Sequence, residues 1–119
     1  MPLKMYFHPA LQAVVILTSL FVLWLGLRRF AGKSLGKKVS FNWKLHVRLG
    51  AIVLAAALVG AAGGLIVARG YWSVWVSPET HAILGLIAVP FILFGGITGW
   101  YMNLRKKPRR VLPLIHGLN

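Results

Sequence analysis

Three observations predict an all-α integral membrane protein, an antiparallel transmembrane helix bundle with three full spans plus the start of a fourth. Hydrophobic residues make up 58% of the 119 residues, more than a soluble domain of that length can bury. The excess is gathered into long uninterrupted runs, as expected where lipid is the solvent. The charge is equally uneven: the net value is +13 with one acid, Glu79, and nearly all of it lies between the apolar runs. The chain is read as one domain, residues 1–119.

The first span is expected from about Pro9 to Leu27. Pro9 fits a first helical turn, where its missing N–H had no partner. Lys4 resembles the basic start of a signal peptide, but no small-residue cleavage site follows and Arg28–Arg29 closes the run, so the segment is read as retained. Arg28–Lys44 reads as a polar, glycine-containing loop. The second span, about Leu45 to Ala68, is rich in Ala and Gly and is followed by Tyr71, Trp72 and Trp75, an aromatic cluster suited to a headgroup region. Ser77–Pro78–Glu79 reads as a helix start, with a serine cap, proline at the first position and an acid facing the positive dipole end. The third span, about Thr80 to Met102, is expected to kink at Pro90. A fourth begins near Val111. Nine residues cannot cross a hydrocarbon core of roughly 30 Å, so residues 111–119 are read as the opening span of a longer chain.

Arg28, Arg29, Lys33, Lys37, Lys38, Lys44 and Arg48 surround the first connection, and Arg105, Lys106, Lys107, Arg109 and Arg110 the third; the other side carries only Lys4 and Arg69. This is the positive-inside pattern, with attraction to anionic lipid, rather than a nucleic-acid footprint. It predicts an N-terminus outside, periplasmic in a bacterial inner membrane, and basic loops in the cytoplasm. With no cysteine there is no disulfide, no thiolate-held cluster and no covalently attached haem. A single carboxylate weighs against a proton or cation pump.

The four histidines carry the chemistry. His8, His46, His81 and His116 each stand at the start of an apolar segment. Consecutive spans alternate in direction, so His8 and His81 begin on one side and His46 and His116 on the other. That makes two pairs at two depths. Imidazole is a usual iron ligand, and two axial imidazoles fill both open positions of a haem iron, favouring electron transfer over oxygen binding. Zinc is disfavoured because no thiolate or carboxylate cluster accompanies the histidines.

An internal repeat reinforces the pairs. At a register of 35 residues His46 matches His81, Gly50 matches Gly85, Gly60 matches Gly95 and Gly64 matches Gly99. Offsets of 4, 14 and 18 fall within about 40° of the histidine's direction on a helix. The first span keeps Gly26, at offset 18 from His8, but has Gln12 in place of the first glycine. Gly50, Gly64, Gly85 and Gly99 are therefore candidates for flat helix surface beside a planar macrocycle, although Gly60-x3-Gly64 also suits ordinary helix packing.

His8-Pro9-Ala-Leu, Lys44-Leu-His46, Thr80-His81-Ala-Ile-Leu-Gly85-Leu and His116-Gly117 resemble the cytochrome b-561 family over nearly the whole chain. The resemblance implies a four-helix core with two b-type haems, ligated by first-with-third and second-with-fourth helix histidines; the gaps here are 38, 35 and 35 residues. By it, His8 and His81 hold the outer haem and His46 and His116 the inner. It also implies a donor and an acceptor on opposite faces, with ascorbate, quinol or a protein as partner. Arg48, Lys44 and Arg110 are candidates for inner-haem propionates and Arg69 for the outer, beside their topological role. The leading expectation is a membrane electron-transfer subunit of a larger redox assembly, partnered by other redox subunits or cytochromes. The rivals are a stand-alone quinol or superoxide oxidoreductase and a haem-free structural subunit packing through its glycine faces.

Overall fold

The computed structural model describes residues 3–76 and 79–119. After a short 3₁₀ turn, Leu3–Tyr6, the chain forms α1 (Phe7–Ser34), α2 (Trp43–Trp72), α3 (Thr80–Leu104) and a short α4 (Val111–Leu118). Among the described residues there is no strand. The first three helices are long and apolar enough to cross a membrane. They form an all-α membrane bundle with principal extents of 52 × 24 × 23 Å.

Two helices run further than the apolar runs alone suggest. The expected loop Arg28–Lys44 begins only at Leu35, because α1 continues through Ser34. Arginine, alanine and lysine are good helix formers; their charges end the lipid-buried stretch but do not interrupt backbone hydrogen bonding. The stop comes at Gly36, whose φ of +63° suits a residue without Cβ, with the Lys37 N–H donating to the Ala31 carbonyl at 3.1 Å. Similarly, α2 carries the first two residues of the aromatic cluster, Tyr71 and Trp72, on its last turn and ends where Ser73 turns left-handed (φ 58°).

The start of α2 is set by Asn42, whose side-chain oxygen accepts from the Leu45 N–H at 3.1 Å. Of the expected start signal for α3, Ser77 and Pro78 lie outside the described residues; Glu79 occupies the cap position in extended backbone. The helix is continuous across Pro90.

α2 packs against both α1 and α3, and α4 folds back on α3. Few side chains are buried within the chain itself. Val15, Val53 and Ala57 form a small cluster, flanked by Leu11, Ala56 and Ile92, where α1, α2 and α3 meet. Most Leu, Ile, Val and Phe residues on the long helices face outward, as required of surfaces solvated by lipid tails. Hydroxyls within the spans are satisfied locally. Thr18 and Ser19 each donate to the carbonyl four residues earlier, at 2.8 and 2.7 Å, as a medium without water demands. Around the basic connections, cations settle on aromatic faces. Arg28 lies 4.9 Å from the Trp24 ring centre, Arg109 4.7 Å from Tyr101, and Lys106 4.1 Å from Trp43.

Candidate functional site: two histidine pairs

The helix arrangement brings the four histidines together as two pairs, each joining helices that are not neighbours in sequence. His8 on α1 faces His81 on α3 with ring centres 6.0 Å apart and planes at 79°. His46 on α2 faces His116 on α4 with ring centres 6.4 Å apart and planes at 74°. Eighteen residues separate His8 from Gly26, the residue beside His46, so the pairs stand about 27 Å apart along the helix axis.

Second partners fix which nitrogen three of the rings offer. The His8 Nδ1 lies 2.9 Å from the Gly60 carbonyl and the His46 Nδ1 3.1 Å from the Val22 carbonyl. A carbonyl only accepts, so in both rings Nδ1 carries the proton and, in the neutral imidazole, Nε2 presents a lone pair. His116 reaches the same state through a hydroxyl. Its Nδ1 is 2.8 Å from Thr98 Oγ1, and the single proton of Thr98 is committed to the Phe94 carbonyl at 2.7 Å. Thr98 therefore accepts from His116. It is a buried polar residue, and its hydrogen bonds are satisfied within the helix pair.

Glycines make these approaches possible. A Cβ on Gly64 would stand 3.0 Å from His8 Cε1, one on Gly26 3.3 Å from His46 Cε1, and one on Gly99 3.2 Å from His116 Cε1. Each of these glycines lies 18 residues beyond its own helix's histidine, so α1 and α2 seat each other's imidazoles reciprocally. The same glycines expose the accepting carbonyls. A helical carbonyl points toward residue i+4, and glycine there leaves its second lone pair open; Val22 precedes Gly26 by four residues and Gly60 precedes Gly64 by four.

The remaining expected residues fall elsewhere. A Cβ on Gly50 would lie 3.7 Å from Val22 Cγ1, an ordinary contact, and one on Gly85 would meet nothing within 4 Å. Gly60 lies directly against the Gln12 side chain. Arg48, Lys44 and Arg110 are exposed. Arg69 is exposed too, its guanidinium 5.9 Å from the Trp75 ring centre. Sequence reasoning missed Thr98, Val22, Phe41 and Arg29. Phe41 packs its ring 5.6 Å from that of His46, and half-buried Arg29 lies over Phe41 at 5.9 Å. The available signal for Arg29 was its place one turn beyond Gly26, on the same helix face.

The donor set favours one kind of centre. Two imidazoles sharing one metal through bonds of about 2.0–2.1 Å, with about 1.1 Å from each nitrogen to its ring centre, would have ring centres up to about 6.3 Å apart. Both pairs lie near that value. Edge-to-face ring packing covers the same range of distances, but it does not call for Nδ1 to be engaged and Nε2 left free, which is the usual state of a metal-bound histidine. Among the described residues no group of three or more His, Cys, Asp or Glu is assembled. Each pair thus offers two nitrogens without a third protein donor. Such a set would suit a metal that brings its other ligands with it, His8 with His81 and His46 with His116 then supplying the protein donors, better than a bare ion that needs four.

No protein-family model matches the chain, and comparison with curated proteins and with solved structures gives no match.

Proposed function

We propose that the chain is a small membrane cytochrome b of the cytochrome b-561 type, carrying electrons across the bilayer through two bis-histidine b haems. The observation that carries this reading is the pairing of imidazoles at 6.0 and 6.4 Å across non-adjacent helices, with Nδ1 of His8, His46 and His116 already engaged. When bound, the haem supplies one-electron iron chemistry. The protein's own residues do the rest. His8 and His81 hold one centre, and His46 and His116 the other. The Gly60 and Val22 carbonyls and the Thr98 hydroxyl keep the rings oriented, and the apolar helices exclude water.

By the positive-inside rule, the basic connections between α1 and α2 and between α3 and α4 support an orientation with the His46/His116 end in the cytoplasm and the other end outside, periplasmic in a bacterial inner membrane. In this reading the bundle is the membrane arm of a larger redox assembly, receiving electrons from quinol or from another redox subunit. A packing role alone leaves two imidazole pairs with oriented Nδ1 protons unexplained.

The test is a reduced-minus-oxidised spectrum of the detergent-purified protein with haem counted as pyridine haemochrome. Two b haems per chain are expected. One per chain overturns the two-centre reading, and a colourless, folded protein overturns the assignment altogether.

A further inference from the structure

The two histidine pairs are built on matching frameworks that differ in charge at one position. On α1 the order is Val22, whose carbonyl accepts from His46; Gly26, on which the His46 ring rests; then Arg29. On α2 the order is Gly60, whose carbonyl accepts from His8; Gly64, on which the His8 ring rests; then Val67. The spacing is identical, so Arg29 and Val67 hold equivalent places, one turn beyond the seat. The corresponding residue on α3, three beyond Gly99, is Met102. Of these matched positions, only that on α1 carries charge.

Arg29 is directed inward by its neighbours. It is half-buried; its guanidinium lies 5.9 Å from the Phe41 ring centre, and the Phe41 ring lies 5.6 Å from that of His46. Arg28, the preceding residue, has its guanidinium engaged otherwise, donating to the Ser40 carbonyl at 2.9 Å. A guanidinium stays protonated throughout the working range. Near a site shielded by apolar helices its field is far less screened than that of an exposed loop lysine. Meanwhile Glu79, the one acid in the chain, belongs to the opposite end, two residues before His81.

We infer that Arg29 is a potential-setting residue that makes the His46/His116 centre the electron-accepting member of the pair. The inference rests on the two-centre reading above. Reduction adds one negative charge at a centre, and a fixed cation beside it stabilises the reduced form. With both centres loaded, the electron given up at the His8/His81 end would be the one taken up at the His46/His116 end. No bond forms or breaks and no proton is needed. Flow then runs from the end bearing Glu79 toward the basic end.

The experiment is an equilibrium redox titration of the full-length, haem-loaded protein in detergent, followed by haem absorbance. His81→Ala, which retains only the His46/His116 centre, assigns the waves; His8→Ala is the second variant if the first does not fold. Wild type should titrate in two waves, the higher belonging to His46/His116. Arg29→Gln should move that wave alone to lower potential with the haem count unchanged, Arg29→Lys should restore it, and Lys38→Gln in the exposed loop should move neither. Unmoved waves in Arg29→Gln, equal movement of both, movement of the other wave alone, or loss of a haem would each overturn the inference. Two haems with potentials indifferent to Arg29 refute this inference only. A haem-free wild type refutes the function on which it rests.

Discussion

The His8 and His46 sites are the same device built twice, and the contrast lies in what surrounds them. In each, an imidazole near the start of one helix rests on a glycine near the end of its neighbour and donates Nδ1–H to the carbonyl one turn earlier. Their opposite rings differ. His81 is exposed within the chain, whereas His116 is half-buried, seated on Gly99 and held by the Thr98 hydroxyl. Phe41 and Arg29 then close over the His46 side. A repeated helix pattern can thus supply two geometrically similar ligand pairs while leaving their electrostatics to be set separately. On the proposed function, equal geometry would keep both centres competent and unequal charge would order their potentials.

The largest effect should come from breaking one pair and reading the other. His46→Ala removes an axial nitrogen from the basic end, and His81→Ala removes one from the opposite end. On the proposed function each variant should fall from two haems per chain to one, and the surviving signals should be complementary. The measurement is pyridine haemochrome together with low-temperature difference spectra. If either single replacement erases both signals in a folded protein, the pairs are not independent sites and the comparison fails.

The glycine seats give a smaller but more diagnostic effect. Gly64→Ala would put a Cβ 3.0 Å from His8 Cε1, a separation too short to accept without displacing the ring. The His8/His81 signal should broaden, shift or be lost, with the His46/His116 signal retained. Gly85→Ala meets nothing within 4 Å and should be neutral or stabilising by about 0.5–1 kcal/mol, the usual advantage of alanine over glycine inside a helix. This pair of variants separates two uses of glycine. If the repeat exists to keep helix surface flat beside a macrocycle, Gly85→Ala should also disturb a centre. If the glycines are seats for imidazoles, only Gly64, Gly26 and Gly99 should be sensitive.

That distinction marks where the sequence was legible and where it was not. The spans were readable because lipid imposes one rule on every residue of a long run, and the histidine pairs followed from the alternation of spans. The register linking His46-x3-Gly50 to His81-x3-Gly85 was visible as well. Its meaning was only half visible, because offset 18 tells which face a glycine occupies on its own helix, not what the neighbour places there. Gly64 under His8 is a contact between residues 56 apart in sequence, fixed by how α1 and α2 slide against each other. The extent of α1 was underestimated for another reason. Arg28 and Arg29 mark the end of its lipid-facing length, not the end of the helix. As part of α1, Arg29 shares a face with Gly26, which its place in a basic run does not reveal. Lys44, Arg48 and Arg110 attracted attention by their closeness in sequence to a histidine or to the fourth segment, and closeness in sequence is a poor guide on a helix, where residues three or four apart share a face.

Thr98 offers the finest test of how the basic-end pair differs from the other. His8 and His46 donate to backbone carbonyls, which no substitution can remove; His116 donates to a side chain, so its support can be deleted singly. Thr98→Val keeps the shape but removes the acceptor, leaving the His116 Nδ1–H without its partner in a largely apolar setting. The cost is about 1–3 kcal/mol for a buried donor left unsatisfied, and the ring loses what holds its tautomer. Thr98→Ser preserves the hydroxyl and should behave as wild type. Thr98→Val should therefore weaken haem retention at the His46/His116 centre on dilution or mild heating, with the His8/His81 centre unchanged. The measurement is haem loss followed by absorbance in each single-centre background, using His81→Ala to isolate the affected pair and His46→Ala to isolate the control. Equal rates of loss for Thr98→Val and Thr98→Ser in the His81→Ala background would mean that the hydroxyl does not orient His116, leaving the Gly99 seat, Phe41 and Arg29 to distinguish the two ends of the molecule.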